Sequence, residues 1–290
     1  MPQDIIDIEA AVRLKPFSFH TLSHVKGIKA GIHKSPYKGI SPDFLEYKEY
    51  SQGDDLKHID WRLYGRLDRL YVKKFEDEVS LSWCILIDKS GSMGYGAGQK
   101  TKLHYAIRLS ATLAYLLLKQ GDAVGIADFC DNDIDIFLPR SGISNILPIT
   151  EKLKSLNPNG KTTLKQPVLR AIEKISKDAV FVIVSDFLTD LGEVEECLKF
   201  LRSSRKDVVA FHILHPDEID FNFDGSIEFE DIEEKTTVQV DTASIRETYM
   251  KRIREFSLKL KLLLYENKSR YVYSPCNMPI EDALIQIAEK

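Results

Sequence analysis

Ser80-Leu-Ser-Trp-Cys-Ile-Leu-Ile-Asp88-Lys-Ser-Gly-Ser-Met93 decides how the rest of the chain is read. Its first half is a short, nearly continuous apolar run, the pattern of a strand buried on both faces of a sheet. The run stops at Asp88. The D-x-S-x-S that follows is a turn able to bring one carboxylate and the hydroxyls of Ser90 and Ser92 round a single point. Gly91 is expected to give that turn its backbone freedom.

Outward from this strand, apolar residues at helical spacing run from Leu103 to Leu118. Strands are expected over Asp122–Phe129 and Ile134–Leu138, and helices over Ser144–Leu156 and Lys165–Ile175. A second continuous apolar strand, Ala179–Val184, again ends near an acid, Asp186. A helix over Leu191–Leu201 and a buried strand over Val208–Leu214 complete the alternation. This predicts an α/β fold: a doubly wound, mostly parallel sheet with helices on both faces and right-handed crossovers. The tail predicts a hairpin from Ile227–Glu230 and Thr236–Val240, a long helix over Ser244–Leu264, a last strand at Tyr271–Tyr273 and a closing helix over Ile280–Ala288. The expected organisation is an N-terminal extension, 1–79, before a sheet domain, 80–290.

Bulk properties narrow the function classes. The 290 residues, 43% hydrophobic and 29% charged, suffice for one large domain or a domain with a smaller appendage. A net charge of −4 argues against a chain-wide nucleic-acid footprint. Ala10–Pro42 is the exception: it holds no acid, yet carries Arg13, Lys15, Lys26, Lys29, Lys34, Lys38, His20, His24 and His33. That basic arm is either a solvated face or a contact for an acidic partner surface. Its Phe17, Phe19 and Tyr37 suit base stacking and docking on the main domain equally. Cys84, Cys130, Cys197 and Cys276 are far apart and read as buried free thiols of a reducing compartment. Neither a signal-peptide core nor an apolar run of ~20 residues is present, so a cytoplasmic protein is expected.

In an open parallel sheet, ligands bind outside the carboxyl ends of the strands, where the strand order switches. Asp88 and Asp186 both fall at that edge, and Asn159-Gly-Lys-Thr-Thr163 offers further hydroxyls from a third loop. Carboxylate and hydroxyl oxygens without His or Cys suit Mg2+ or Mn2+ better than zinc.

D-x-S-x-S after the first strand, Gly-Lys-Thr before a helix and an Asp after a later strand together resemble the metal-ion-dependent adhesion site of von Willebrand factor A domains. The resemblance implies a metal site of Asp88, Ser90, Ser92, Thr162 and Asp186, the two acids often acting through water, completed by an Asp or Glu of a partner protein. Thr162 is preferred to Thr163 because Leu164 and Ala171-Ile172 then fall where the family places apolar residues. Upstream, Ser41–Trp61 and Arg69–Glu78 are similar to the signature of the domain of unknown function 58 family. That resemblance implies a bacterial, non-enzymatic adaptor working with a MoxR-type AAA+ ATPase. Within the signature, Asp54, Asp55, Asp60, Trp61, Arg62 and Arg66 read as Asp–Arg pairs and a tryptophan that weld the segment to the sheet domain. Glu76, Asp77 and Glu78 read as a solvated strand edge or a partner contact.

Other chemistries fit less well. Gly94–Thr101 approximates a phosphate-binding loop but has Gln99 where glycine is required, and the stretch ending in Gly160-Lys-Thr162 has Ser155 in place of the first glycine. A phosphatase or other hydrolase using Asp88 as nucleophile would be expected to carry a second acid two residues on, where Ser90 stands. A metal-free Asp-capped turn is the bland alternative for Asp88–Ser92.

Overall fold

The computed structural model describes residues 4–19, 43–51, 56, 59–76, 80–176, 178–230 and 237–289. Residues 4–19 and 81–289 belong to one compact unit, and the described part of Gly31–Ser80 forms a second.

The larger unit is built on six strands: β1 (Ser82–Asp88), β2 (Ala123–Cys130), β3 (Asp133–Arg140), β4 (Ala179–Ser185), β5 (Asp207–Leu214) and β6 (Arg270–Pro275). Their spatial order is 3-2-1-4-5-6. All neighbours are parallel except β3, which runs antiparallel to β2 at the edge. Between the strands lie α1 (Lys102–Gln120), α2 (Ile146–Lys154), α3 (Lys165–Lys174), α4 (Leu191–Ser203), α5 (Pro216–Asp220), α6 (Thr242–Glu266) and, after β6, α7 (Ile280–Ile285). The strand alternation divides the core in two. Trp83, Ile85 and Ile87 of β1, with Val180, Val182 and Val184 of β4, pack with Leu109, Leu113 and Leu117 of α1, Ile149 and Leu153 of α2, and Leu284 of α7. Cys84 and Leu86, with Phe181 and Ile183, face the other way onto Val168 of α3, Leu198 and Leu201 of α4, and Leu260 and Leu264 of α6. Both faces of β1 and β4 are therefore covered, which is why their sequences are apolar without alternation.

The helix that follows β1 has defined ends. Thr101 Oγ1 accepts the His104 N–H at 3.1 Å to open α1. Gly121, with φ +98°, closes it by turning its N–H back to the last carbonyls. Asp122 then holds the entry to β1, accepting from Leu81 N (2.8 Å) and Trp83 Nε1 (2.9 Å), and burial pushes its carboxyl up to about 6.

The N-terminal residues join the same unit. A short helix, Ile8–Arg13, is capped by Asp7, whose carboxylate also takes Arg108 at 2.8 Å. Phe19 is buried in the core, and Ser18–Phe19 pairs antiparallel with Ala288–Glu289. The closing helix expected to reach Ala288 thus stops at Ile285, because Ala288 is taken up as a strand partner. Phe19 is unavailable for base stacking, while the rest of the basic arm, His20 to Lys38, lies outside the described residues.

In the second unit, Asp43–Glu49 pairs antiparallel with Tyr71–Glu76, and Trp61–Leu67 is helical. Asp60 is its N-cap, accepting from Arg62 N and Leu63 N, and its other oxygen accepts from Tyr47 OH. Trp61 is the first residue of this helix and meets Tyr64 edge to face. Asp54, Asp55, Asp77 and Glu78 lie outside the described residues. Among those described, no helix is long and apolar enough to cross a membrane.

Candidate metal centre

The strand order reverses between β1 and β4, so their carboxyl ends flank the switch point at which open parallel sheets bind ligands. Asp88 is the last residue of β1 and is fully buried. Its Oδ1 accepts the Ser90 N–H at 2.8 Å, and its Oδ2 accepts the Ser185 hydroxyl at 2.6 Å. The chain then makes a 3-10 turn, Gly91–Gly94, anchored by the buried Met93. This turn lifts the Ser90 and Ser92 hydroxyls to within 3.1 Å of each other. Thr162 comes in from the third loop and donates its hydroxyl to Ser90 Oγ at 2.8 Å. Asp186, one residue past β4, is also fully buried.

Backbone bonds hold the loops in register. Gly91 N donates to Gly160 O (2.8 Å), Asn159 N to Lys89 O (2.7 Å) and Asp131 N to Lys161 O (2.8 Å). Gly91 does not have a positive φ, so the freedom expected of it is not used; a 3-10 turn is open to any L residue. The glycine the centre requires is Gly160. Its φ is +73°, and a Cβ there would lie 2.3 Å from Asp131 Oδ2. Gly160→Ala is expected to cost about 2 kcal/mol or more in a urea melt, from the left-handed backbone and the displaced carboxylate together.

Donor chemistry and spacing fit a hard divalent cation. Mg2+ holds oxygens octahedrally at 2.0–2.1 Å, so neighbouring ligands sit about 2.9 Å apart. The Ser90–Ser92 and Thr162–Ser90 separations, 3.1 and 2.8 Å, bracket that edge. Among the described residues, no group of three or more His, Cys, Asp or Glu side chains is gathered to hold an ion. A site here therefore depends on hydroxyls. Burial, and then the Asp186 charge, push the Asp88 carboxyl up to about 7.

A family model described as protein of unknown function DUF58 matches residues 46–258, well over half of the sequence. The chain belongs to the DUF58 family. Its sheet, ordered 3-2-1-4-5-6 with an antiparallel third strand and helices on both faces, is the mostly parallel α/β architecture expected from the sequence. The chain is 20% identical over 234 residues to an uncharacterized protein of Mycobacterium tuberculosis H37Rv, covering 79% of this chain and 73% of that one. A Mycobacterium bovis protein, also uncharacterized, matches with the same figures. Among solved structures it is similar to the conserved hypothetical protein BatB from Bacteroides thetaiotaomicron (17% identity, TM-score 0.49, 72% of this chain and 97% of that one). It is also similar to an aerotolerance-related membrane protein from Bacteroides fragilis (20% identity, TM-score 0.46, 72% and 98%).

This DUF58 chain brings Asp88, Ser90, Ser92 and Thr162 into one linked cluster. Asp186 enters by its charge on Asp88, and its own oxygens are engaged elsewhere: Oδ1 accepts Leu188 N at 3.1 Å and Oδ2 accepts Lys102 Nζ at 2.7 Å. Thr163, the alternative to Thr162, has a buried hydroxyl with no partner among the described residues. Two participants escaped the sequence reading. Ser185 interrupts the apolar strand Val182-Ile-Val-Ser, and that interruption was the available signal. Lys102 opens α1, where the helix dipole favours an acid over a cation, and that mismatch was its signal.

Proposed function

We propose that this chain is a non-enzymatic, divalent-metal-dependent protein-binding module that captures an Asp or Glu carboxylate of a partner. The von Willebrand A-like fold is a common protein-interaction module. The observation that carries the metal-dependent reading is the convergence of three hydroxyls, Ser90, Ser92 and Thr162, beside two buried carboxylates at the switch in strand order. Mg2+ or Mn2+ bound there would supply a Lewis-acidic point able to take an incoming carboxylate oxygen. Ser90, Ser92 and Thr162 would contribute neutral oxygens and leave the charge largely unspent. Asp88 and Asp186 would orient the surroundings, each already fixed by protein donors. By the resemblance of its upstream signature, the partner is a MoxR-type AAA+ ATPase, with this chain as its adaptor.

The test is a pull-down of the MoxR-type ATPase by the full chain in Mg2+ and in chelator. Recovery is expected with the ion and is expected to fall at least about tenfold with chelator or with Asp88→Ala. An undiminished complex in both would rule out the metal bridge.

A further inference from the structure

Lys102 has a role that rests on the metal-binding reading above and extends it. It is the first residue of α1, yet its side chain is fully buried. Nζ lies 2.7 Å from Asp186 Oδ2 and 2.7 Å from Glu218 Oε1. Glu218 is on α5, just past β5, and its other oxygen accepts the His215 N–H at 2.7 Å in a capping box. The Lys102 N–H donates to Tyr95 O at 3.1 Å. Segments after β1, β4 and β5 therefore meet on one ammonium. Burial alone would push that ammonium down; the Asp186 and Glu218 carboxylates outweigh it and hold Lys102 above the ordinary lysine range.

We infer that Lys102 is the counter-charge of the centre: it neutralises Asp186, lowering the site's own affinity for a bare divalent cation and leaving a bound cation short of negative charge. An external carboxylate then satisfies that ion, and the two affinities are coupled reciprocally. Glu218 opposes Lys102 by sharing its ammonium. Lys102 is thus a specificity-determining residue that favours acidic partners, and Glu218 sets how strongly it acts.

The charge argument gives the two neighbours opposite signs. Lys102→Met frees the full charge of Asp186 and is expected to tighten Mn2+ binding by about tenfold or more. Glu218→Gln leaves the ammonium wholly to Asp186 and is expected to weaken Mn2+ binding a few-fold. A residue that merely props the loops would weaken binding in both variants. The experiment is calorimetric titration of Mn2+ into chelator-stripped full chain: wild type, the two variants, and Ser90→Ala/Ser92→Ala. Opposed shifts support the inference, and shifts of one sign, or none, overturn it. If Lys102→Met does not fold, Glu218→Gln decides: weakening with an unchanged melting temperature supports the inference, and unchanged or tighter binding overturns it. Wild-type uptake that survives the double serine variant, or no uptake by any chain, overturns the metal reading and the inference with it. Uptake lost in the serine variant without opposed shifts overturns the inference alone.

Discussion

Saturable uptake of Mg2+ or Mn2+, near one ion per chain, is expected in chelator-stripped protein and is expected to vanish in Ser90→Ala/Ser92→Ala. The two substitutions remove two of the three hydroxyls that meet at 2.8 and 3.1 Å and leave only Thr162. Disturbing residues behind a metal's ligands already costs about 10- to 100-fold in affinity, so losing two direct ligands is expected to cost at least about 100-fold. The fold is expected to survive, because the bond that shapes the turn, Ser90 N–H to Asp88 Oδ1, is a backbone donor that alanine keeps. The main stability loss is the acceptor of the Thr162 hydroxyl, worth about 1 kcal/mol. Calorimetric titration beside a thermal melt separates the two effects. An ion still taken up by a folded double variant would place the binding elsewhere on the chain.

The strands that position this turn were legible because burial on both faces leaves a plain mark: Ile85-Leu-Ile and Val180-Phe-Val-Ile-Val have no room for a polar residue. The amphipathic helices and the loops after β1 and β4 followed from the same periodicities, so the edge carrying Asp88 and Asp186 could be named in advance. Contacts between residues distant in sequence were harder to read. Ala288 looked helical because its pairing with Phe19 spans almost the whole chain. Gly91 and Gly160 both lie in site loops, and which one needs a left-handed φ depends on Asp131 packing against Gly160. Lys102 was the largest omission. A lysine at the start of an amphipathic helix ordinarily belongs to the surface, and only the fold brings Asp186 and Glu218 to it.

That burial makes Lys102→Ala the most damaging single change expected in the metal-free chain. Removing one partner of a buried ion pair leaves the other charged and desolvated, which costs about 3–5 kcal/mol, more than the pair itself contributes. Asp186 is fully buried and, beyond Lys102, accepts the Leu188 N–H, which offsets little of its charge. Glu218 differs: its side chain is 16% exposed and has water within reach. Glu218→Ala leaves Lys102 on Asp186 and is expected to cost only about 1–2 kcal/mol. Urea unfolding of both variants measures the asymmetry, and a Lys102→Ala loss no larger than that of Glu218→Ala would contradict it. Mn2+ supplies a second discriminator. An ion bound beside an uncompensated Asp186 stabilises the folded chain as its concentration rises above Kd. The same Mn2+ concentration is therefore expected to raise the unfolding midpoint of Lys102→Ala more than that of wild type, because the cation replaces charge that the lysine had provided.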